Sequence, residues 1–183
     1  MSTKKPSTAP LESVVMPQSA LRLILIGCSK TKKPYTYDRR RGGKITPEEM
    51  YGGQLFAKRV AYANRKAMQW MVLSAEYGLW EPNCERKPYE ATMGEKSDAE
   101  RAVWHTRVAY CVLHELWEPM ERGERENEMR PSELTVEIHA GKDYARPLAD
   151  ILRSCGVTVL LPCEGLGIGE QLALYTSGRL AAA

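Results

Sequence analysis

Apolar and polar positions along the chain fall into blocks that alternate between a strand-like and a helix-like period. Leu21–Ile26 is apolar except at Arg22, carries β-branched Ile24 and Ile26, and is stopped by Gly27. A short apolar run of that kind predicts a buried strand. Thr46-Pro47-Glu48-Glu49 has the order of a helix start, with Thr46 as N-cap, Pro47 at the first helical position and Glu49 closing a capping box, and Gly52-Gly53 ends that turn. Leu55, Val60, Ala61, Ala63 and Ala67 then mark an amphipathic helix over Gln54–Met68, and Trp70–Ser74 a second buried strand. Strand, helix and strand in that order make a βαβ unit, whose two strand ends share one sheet edge.

Leu79–Met93, broken by Pro82 and Pro88, reads as an extended excursion over that edge. Ser97-Asp98-Ala99-Glu100 opens the next helix, with Val103, Trp104, Val108, Val112, Leu113 and Leu116 as its apolar stripe, and Glu118–Ser132 reads as a solvated linker. Leu134–Ala140 alternates as a third strand with Gly141–Tyr144 as its exit turn. A helix over Ala145–Ser154, stopped by Gly156, leads to a fourth strand at Val157–Leu161 and a last helix from about Glu170 to Leu180. The pattern predicts one α/β domain over residues 21–183, with a mostly parallel central sheet and helices on both faces. Met1–Ala20, rich in Ser, Thr and Pro, is expected to be a disordered tail.

Composition adds three constraints. No apolar stretch approaches the roughly 18 residues of a membrane span, and the N-terminal stretch lacks the basic, apolar and small-residue order of a secretory leader, so no membrane and a cytoplasmic location are expected. The five cysteines include no C-x-x-C pair and no histidine at zinc-site spacing; reduced thiols, no metal and no cofactor are expected, with Cys111, Cys155 and Cys163 read as core fillers. Charge is uneven: residues 1–45 hold ten basic against two acidic residues, net +8, and residues 46–183 hold 16 against 21, net −5. A gradient that gathers positive charge beside the first strand's exit suits nucleic acid or a nucleotide, and equally a plain solvated basic surface.

Candidate chemistry collects on the exit turns, because open α/β sheets bind ligands beyond the carboxyl ends of their strands. In the first turn Gly27 permits close backbone approach, Ser29 offers a hydroxyl, and Lys30 and Lys32 supply charge for phosphate or carboxylate; the spacing is not that of a Walker A loop. Cys28 among these lysines is a candidate nucleophile, or a small residue capping the strand. Ser74, Tyr77 and Gly78 follow the second strand, Gly141 and Tyr144 the third, and Gly167 and Gly169 the fourth, while Pro88 and Tyr89 lie on the excursion. Glu90 and Asp143 are the favoured carboxylates for acid–base work or for stabilising an oxocarbenium-like sugar centre. His105, His114 and His139 read as helix or core residues. Arg39, Arg40 and Arg41, in the long loop Pro34–Thr46, are candidate phosphate contacts.

As an ordered set, IGCSKTK (Ile26–Lys32), MYGGQLF (Met50–Phe56), LSAEYGL (Leu73–Leu79), KPYEATM (Lys87–Met93), AGKDY (Ala140–Tyr144) and PCEGLGIGEQ (Pro162–Gln171) resemble a family of small bacterial and phage domains. That family is in turn similar to the peroxide-stress YaaA family, whose motifs run in the same order. More remotely, Gly27-Cys28-Ser29-Lys30 with Lys33-Pro34-Tyr35 resembles a turn of the archaeosine synthase catalytic domain, with Gly27 in place of a proline. The resemblance implies a fold akin to uracil-DNA glycosylases and an association with nucleic acids or their bases. The leading expectation is a nucleic-acid-directed enzyme acting on a base or its N-glycosidic bond. The alternatives are a non-catalytic DNA-binding protein using the basic 30–44 segment, and a small-nucleotide hydrolase or transferase.

Overall fold

A computed structural model describes residues 21–35, 37–121 and 130–177. The expected N-terminal tail, most of the 118–132 linker and the end of the last helix lie outside the described residues. Five strands form one sheet: β1 (Leu21–Gly27), β2 (Gln69–Ser74), β3 (Gly78–Trp80), β4 (Leu134–His139) and β5 (Thr158–Leu160), in the spatial order β3-β2-β1-β4-β5. All neighbours are parallel except β2 and β3. Helices α1 (Pro47–Met50), α2 (Gln54–Lys66), α3 (Asp98–Glu121), α4 (Lys142–Ser154) and α5 (Ile168–Thr176) complete the described fold.

The pleat of β1 sorts its side chains between two cores. Ile24 and Ile26 pack with Phe56, Val60 and Tyr62 of α2 and Tyr175 of α5, whereas Leu23 and Leu25 pack with Trp104 and Val108 of α3 and Leu148 and Leu152 of α4. Helices therefore cover both faces, and every apolar side chain of central β1 from Leu23 to Ile26 is buried. Burial of each is worth about 1.5–3 kcal/mol. No helix among the described residues is long and apolar enough to cross a membrane.

Several expectations change. The excursion starts with a strand: Gly78, at φ +75°, turns the chain so that Gly78–Trp80 returns antiparallel along β2, in a segment too short to show an alternating pattern. β4 is buried at all six positions, since a central strand covered on both faces has no wet side. The buried face of α3 carries Trp104, His105, Val108, Ala109 and Val112, which turns Val103 outward, 69% exposed. In α2 the stripe includes Arg59 and Tyr62, and Ala61 and Ala67 face solvent. Of the three cysteines read as core, Cys163 is buried and Cys111 half-buried, but Cys155 at the C-cap of α4 is exposed. Two helices begin earlier than the pattern implied. Gly141 caps α4, so Asp143 and Tyr144 belong to its first turn; Gly167 caps α5, so Gly169 is helical.

Candidate functional site

The chain leaves β1 toward α2 and β2 on one side, and leaves β4 toward α4 and β5 on the other. Connections that part in this way open a crevice above the carboxyl ends of the two strands, the usual ligand position in open α/β sheets. A cavity of about 320 Å³ occupies that place. Cys28, Ser29, Lys30 and Lys32 from the β1 exit, Ala91–Met93 at the end of the excursion with Gly94 and Glu95 after it, and Asp143 and Tyr144 from α4 line it.

The first turn is held by the MYGG segment. Lys33 N–H donates to Met50 O at 2.8 Å and Gly52 N–H to Thr31 O at 3.0 Å. A Cβ on Gly53 would collide with Ser29 Oγ, so glycine there lets α2 start directly against the turn. Lys32 Nζ donates to Ser29 O at 2.9 Å and sits 5.2 Å and 5.4 Å from the ring centroids of Tyr51 and Tyr89, a cation held by two π faces.

Behind the cavity runs a chain of hydroxyls. Ser74 Oγ, fully buried, donates to Tyr89 OH at 2.7 Å and accepts the Tyr77 N–H at 3.0 Å; Tyr89 OH lies 2.5 Å from Tyr51 OH. Cys28 Sγ is 3.2 Å from Tyr144 OH, and the Tyr144 ring stands edge-on to Trp104 at 5.4 Å. Burial first, and the neighbouring Cys28 thiol second, push the Tyr144 phenol well above its ordinary pKa; Tyr89 is raised by the same two causes in the same order. Both stay protonated at neutral pH and serve as hydrogen-bonding groups rather than bases.

The carboxylates separate. Asp143 is exposed and lines the cavity. Glu95 also lines it, but its carboxylate accepts the Thr92 N–H at 2.7 Å, and that bond, followed by the Thr92 side chain, holds it below the usual carboxylate range. Glu90 is exposed and does not line the cavity. Pro88, just before Tyr89, is half-buried.

Other candidates serve elsewhere. Gly27 is buried at the end of β1, where a Cβ would meet Ala140 Cβ at 2.9 Å. Gly78 abuts Arg107 and Val108 of α3 and shapes the hairpin. Gly141 and Gly167 line a different cavity, between α4 and α5, and Gly169 does not line either one. Arg39 and Arg40 are exposed. Arg41 is committed: its NH1 and NH2 donate to the two Glu49 oxygens, each at 2.7 Å, and its Nε lies 2.8 Å from Glu85. Its guanidinium ties the loop to α1 and the excursion, which leaves it a poor phosphate contact.

His139 is a core residue. Burial lowers its pKa despite the adjacent Glu137, so it is neutral; Nε2–H donates to Glu137 at 3.3 Å and Nδ1 accepts the Tyr175 hydroxyl at 2.6 Å, an assignment that follows from the carboxylate accepting only. Burial pushes Glu137 upward, but hydrogen bonds from His139 and Tyr62 outweigh it and keep it ionised. His105, buried in α3, bonds through Nε2 to Asp143 O at 2.9 Å and so props the first turn of α4.

Sequence reasoning passed over Tyr51, Thr92 and Arg59. Tyr51 lay inside a recognised motif, and its contacts with Tyr89 and Lys32 give it a role. A family model described as "Family of unknown function (DUF6884)" matches residues 23–177. No curated protein and no solved structure matches the chain.

Proposed function

The chain belongs to the DUF6884 family, a family of unknown function, and we propose that it is a nucleic-acid-directed enzyme acting on a base or its N-glycosidic bond. The observation that carries this reading is the crevice between β1 and β4, where Asp143, Cys28 and Tyr144 share one cavity of about 320 Å³ with Lys30 and Lys32. That volume lies at the lower end of the range for ligand pockets, about 300–1,000 Å³, and suits a single base or nucleoside. The order of motifs resembling the YaaA family, and more remotely the archaeosine synthase catalytic domain, supports a base as the target.

The roles follow from position. Lys30, exposed at the rim, pairs with a phosphate; Lys32, pinned to Ser29 O and the two rings, is a fixed positive end for the cavity. Tyr144 and Thr92 offer hydroxyls to the edge of a base. In hydrolysis, Asp143 takes a proton from water as its oxygen bonds to C1′, the C1′–N bond breaks, and the electron pair leaves with the base nitrogen. A target in a duplex has to be extruded to reach such a pocket.

Of the alternatives, the non-catalytic DNA-binding reading is weakened because Arg41 is taken up by two carboxylates. The test measures released bases and modified nucleosides from single-stranded and duplex DNA and RNA, with natural and modified bases. Wild type is expected to turn over at least one substrate. Asp143→Asn should lose about 10²–10⁴-fold in rate. Lys30→Ala should raise KM, and Glu90→Gln should match wild type. Absence of turnover on every substrate, or equal rates for wild type and Asp143→Asn, would overturn the proposal.

A further inference from the structure

The loop between β1 and α1 combines dense positive charge with uncovered aromatic rings. Residues 30–44 hold seven basic residues against Asp38 alone, net +6. Of the five large apolar side chains exposed among the described residues, Tyr35 at 42% and Tyr37 at 61% stand on this loop, while Val103, Tyr110 and Ile168 are spread over α3 and α5. The two tyrosines also converge. Gly43 is buried between them: a Cβ on it would collide with the Tyr37 ring and lie 3.5 Å from Tyr35 OH. Its φ of +70° favours glycine as well.

The backbone under these rings is fixed. Gly43 N–H donates to Asp38 O at 2.9 Å and Lys44 N–H to Arg41 O at 3.1 Å, closing a turn, and the Asp38 carboxylate accepts the Arg40 N–H at 2.8 Å. Arg41 clamps the turn to Glu49 and Glu85, and Ile45 pairs with Arg86 behind it. Arg39, Arg40 and Lys44 remain exposed and form no ion pair among the described residues. The loop also starts at the first cavity. Lys32 lines that cavity and Tyr35 follows three residues later, so their Cα atoms are at most about 11 Å apart.

Flat rings beside unpaired cations suit a polymer that offers both exposed base faces and phosphates. An acidic peptide would engage the cations and leave the rings wet, and a duplex keeps its base faces stacked inside. We propose that the loop is a docking surface for single-stranded nucleic acid, with bases stacked on Tyr35 and Tyr37 and phosphates paired with Arg39, Arg40 and Lys44. The choice of partner rests on the nucleic-acid reading of the first cavity, and the surface holds the nucleotides that flank the one entering it. Arg41 takes no part in binding, because its two carboxylate partners hold the platform in place.

The test follows fluorescence anisotropy of a labelled single-stranded oligonucleotide with the full chain, beside an abasic strand of equal length, the matching duplex, and polyglutamate as competitor. The wild type is expected to hold the base-bearing strand at least about fivefold more tightly than the abasic strand or the duplex. Tyr35→Ala with Tyr37→Ala should lose about fivefold or more on the base-bearing strand and nothing on the abasic one, and the paired Phe substitutions should restore the difference. Arg39→Ala with Arg40→Ala should weaken both strands by one common factor. A wild-type preference for bases in the double alanine variant would place that preference in the first cavity and overturn the proposal. Equal loss on both strands would reduce the rings to a structural role and overturn it too, as would tighter duplex binding or displacement by polyglutamate as effective as by the strand. Base release is not read in this assay. Turnover without a stacking preference removes this surface alone, and a stacking preference without turnover removes the enzymatic proposal alone.

Discussion

Gly27 shows how much one hydrogen in place of a side chain decides at the sheet's carboxyl edge. A methyl group there would press on Ala140 at 2.9 Å to its Cβ and 3.0 Å to its Cα, and on Arg59 NH1 at 3.4 Å. Backbone cannot yield as a flexible side chain does, so Gly27→Ala is expected to cost about 1–3 kcal/mol by overpacking. Urea unfolding measures it; a midpoint unchanged from wild type would show that the edge relaxes freely. The residues of the first turn were legible because glycine, hydroxyl and lysine after an apolar run announce an exit. Arg59 was not: on a helix of mixed polarity an arginine reads as solvated, and only the tertiary fold turns it inward. Asp143 and Glu90 looked equivalent as free carboxylates beside motifs. The start of α4 at Lys142 separates them, since it carries Asp143 to the cavity wall.

Among the elements, the 38–46 loop depends most on charge. Arg41 bridges Glu49 and Glu85, and the backbone pairs Ile45 with Arg86 at 2.9 Å in both directions. Arg41 first, and the Thr46 N–H second, lower the Glu49 pKa from 4.5 to about 2. A depressed carboxylate stabilises the folded loop above its unfolded value and loses that contribution as pH falls through the folded one, so docking weakens between pH 4.5 and about 2. Proteolysis at Arg39–Lys44 by an acid-active protease should accelerate across that window, and Glu49→Gln should make cleavage fast and pH-independent. A loop equally protected at both ends of the window would contradict the clamp. The capping pattern Thr46–Glu49 was readable in the sequence, and the Glu49 carboxylate does accept the Thr46 N–H at 2.7 Å. Its second duty toward Arg41 spans eight residues of loop and was not readable from local spacing.

For the molecule as a whole, the alternation of strand-like and helix-like apolar blocks was enough to predict a mostly parallel sheet with helices on both faces. The exception is β3, whose three residues carry too few positions for a period, whereas β5 lies within the expected fourth strand. The convergence of exit turns was read as one site, whereas the switch in direction between β1 and β4 splits it into two cavities on either side of α4. On the proposed reading, Arg39 and Arg40 extend the contact with a strand beyond the crevice. Replacing both with alanine should reduce the slope of log affinity against log salt for a single-stranded oligonucleotide by about 1.4, near 0.7 for each phosphate that is no longer neutralised. Arg41→Ala should instead lower stability through the loop, and a salt slope unchanged in the Arg39/Arg40 pair would remove them from the interface.

The same short strands bear on how the protein behaves in a crowded solution. A sheet ends where its outermost strands expose unpaired amides and carbonyls, and such rims template the addition of further strands from other molecules. Here both rims are three residues long, and the β3 rim ends in Trp80, which is wholly buried. So little ladder is offered that propagation from copy to copy has almost nothing to grip, and a sheet buried on both faces is kept from becoming the seed of an aggregate.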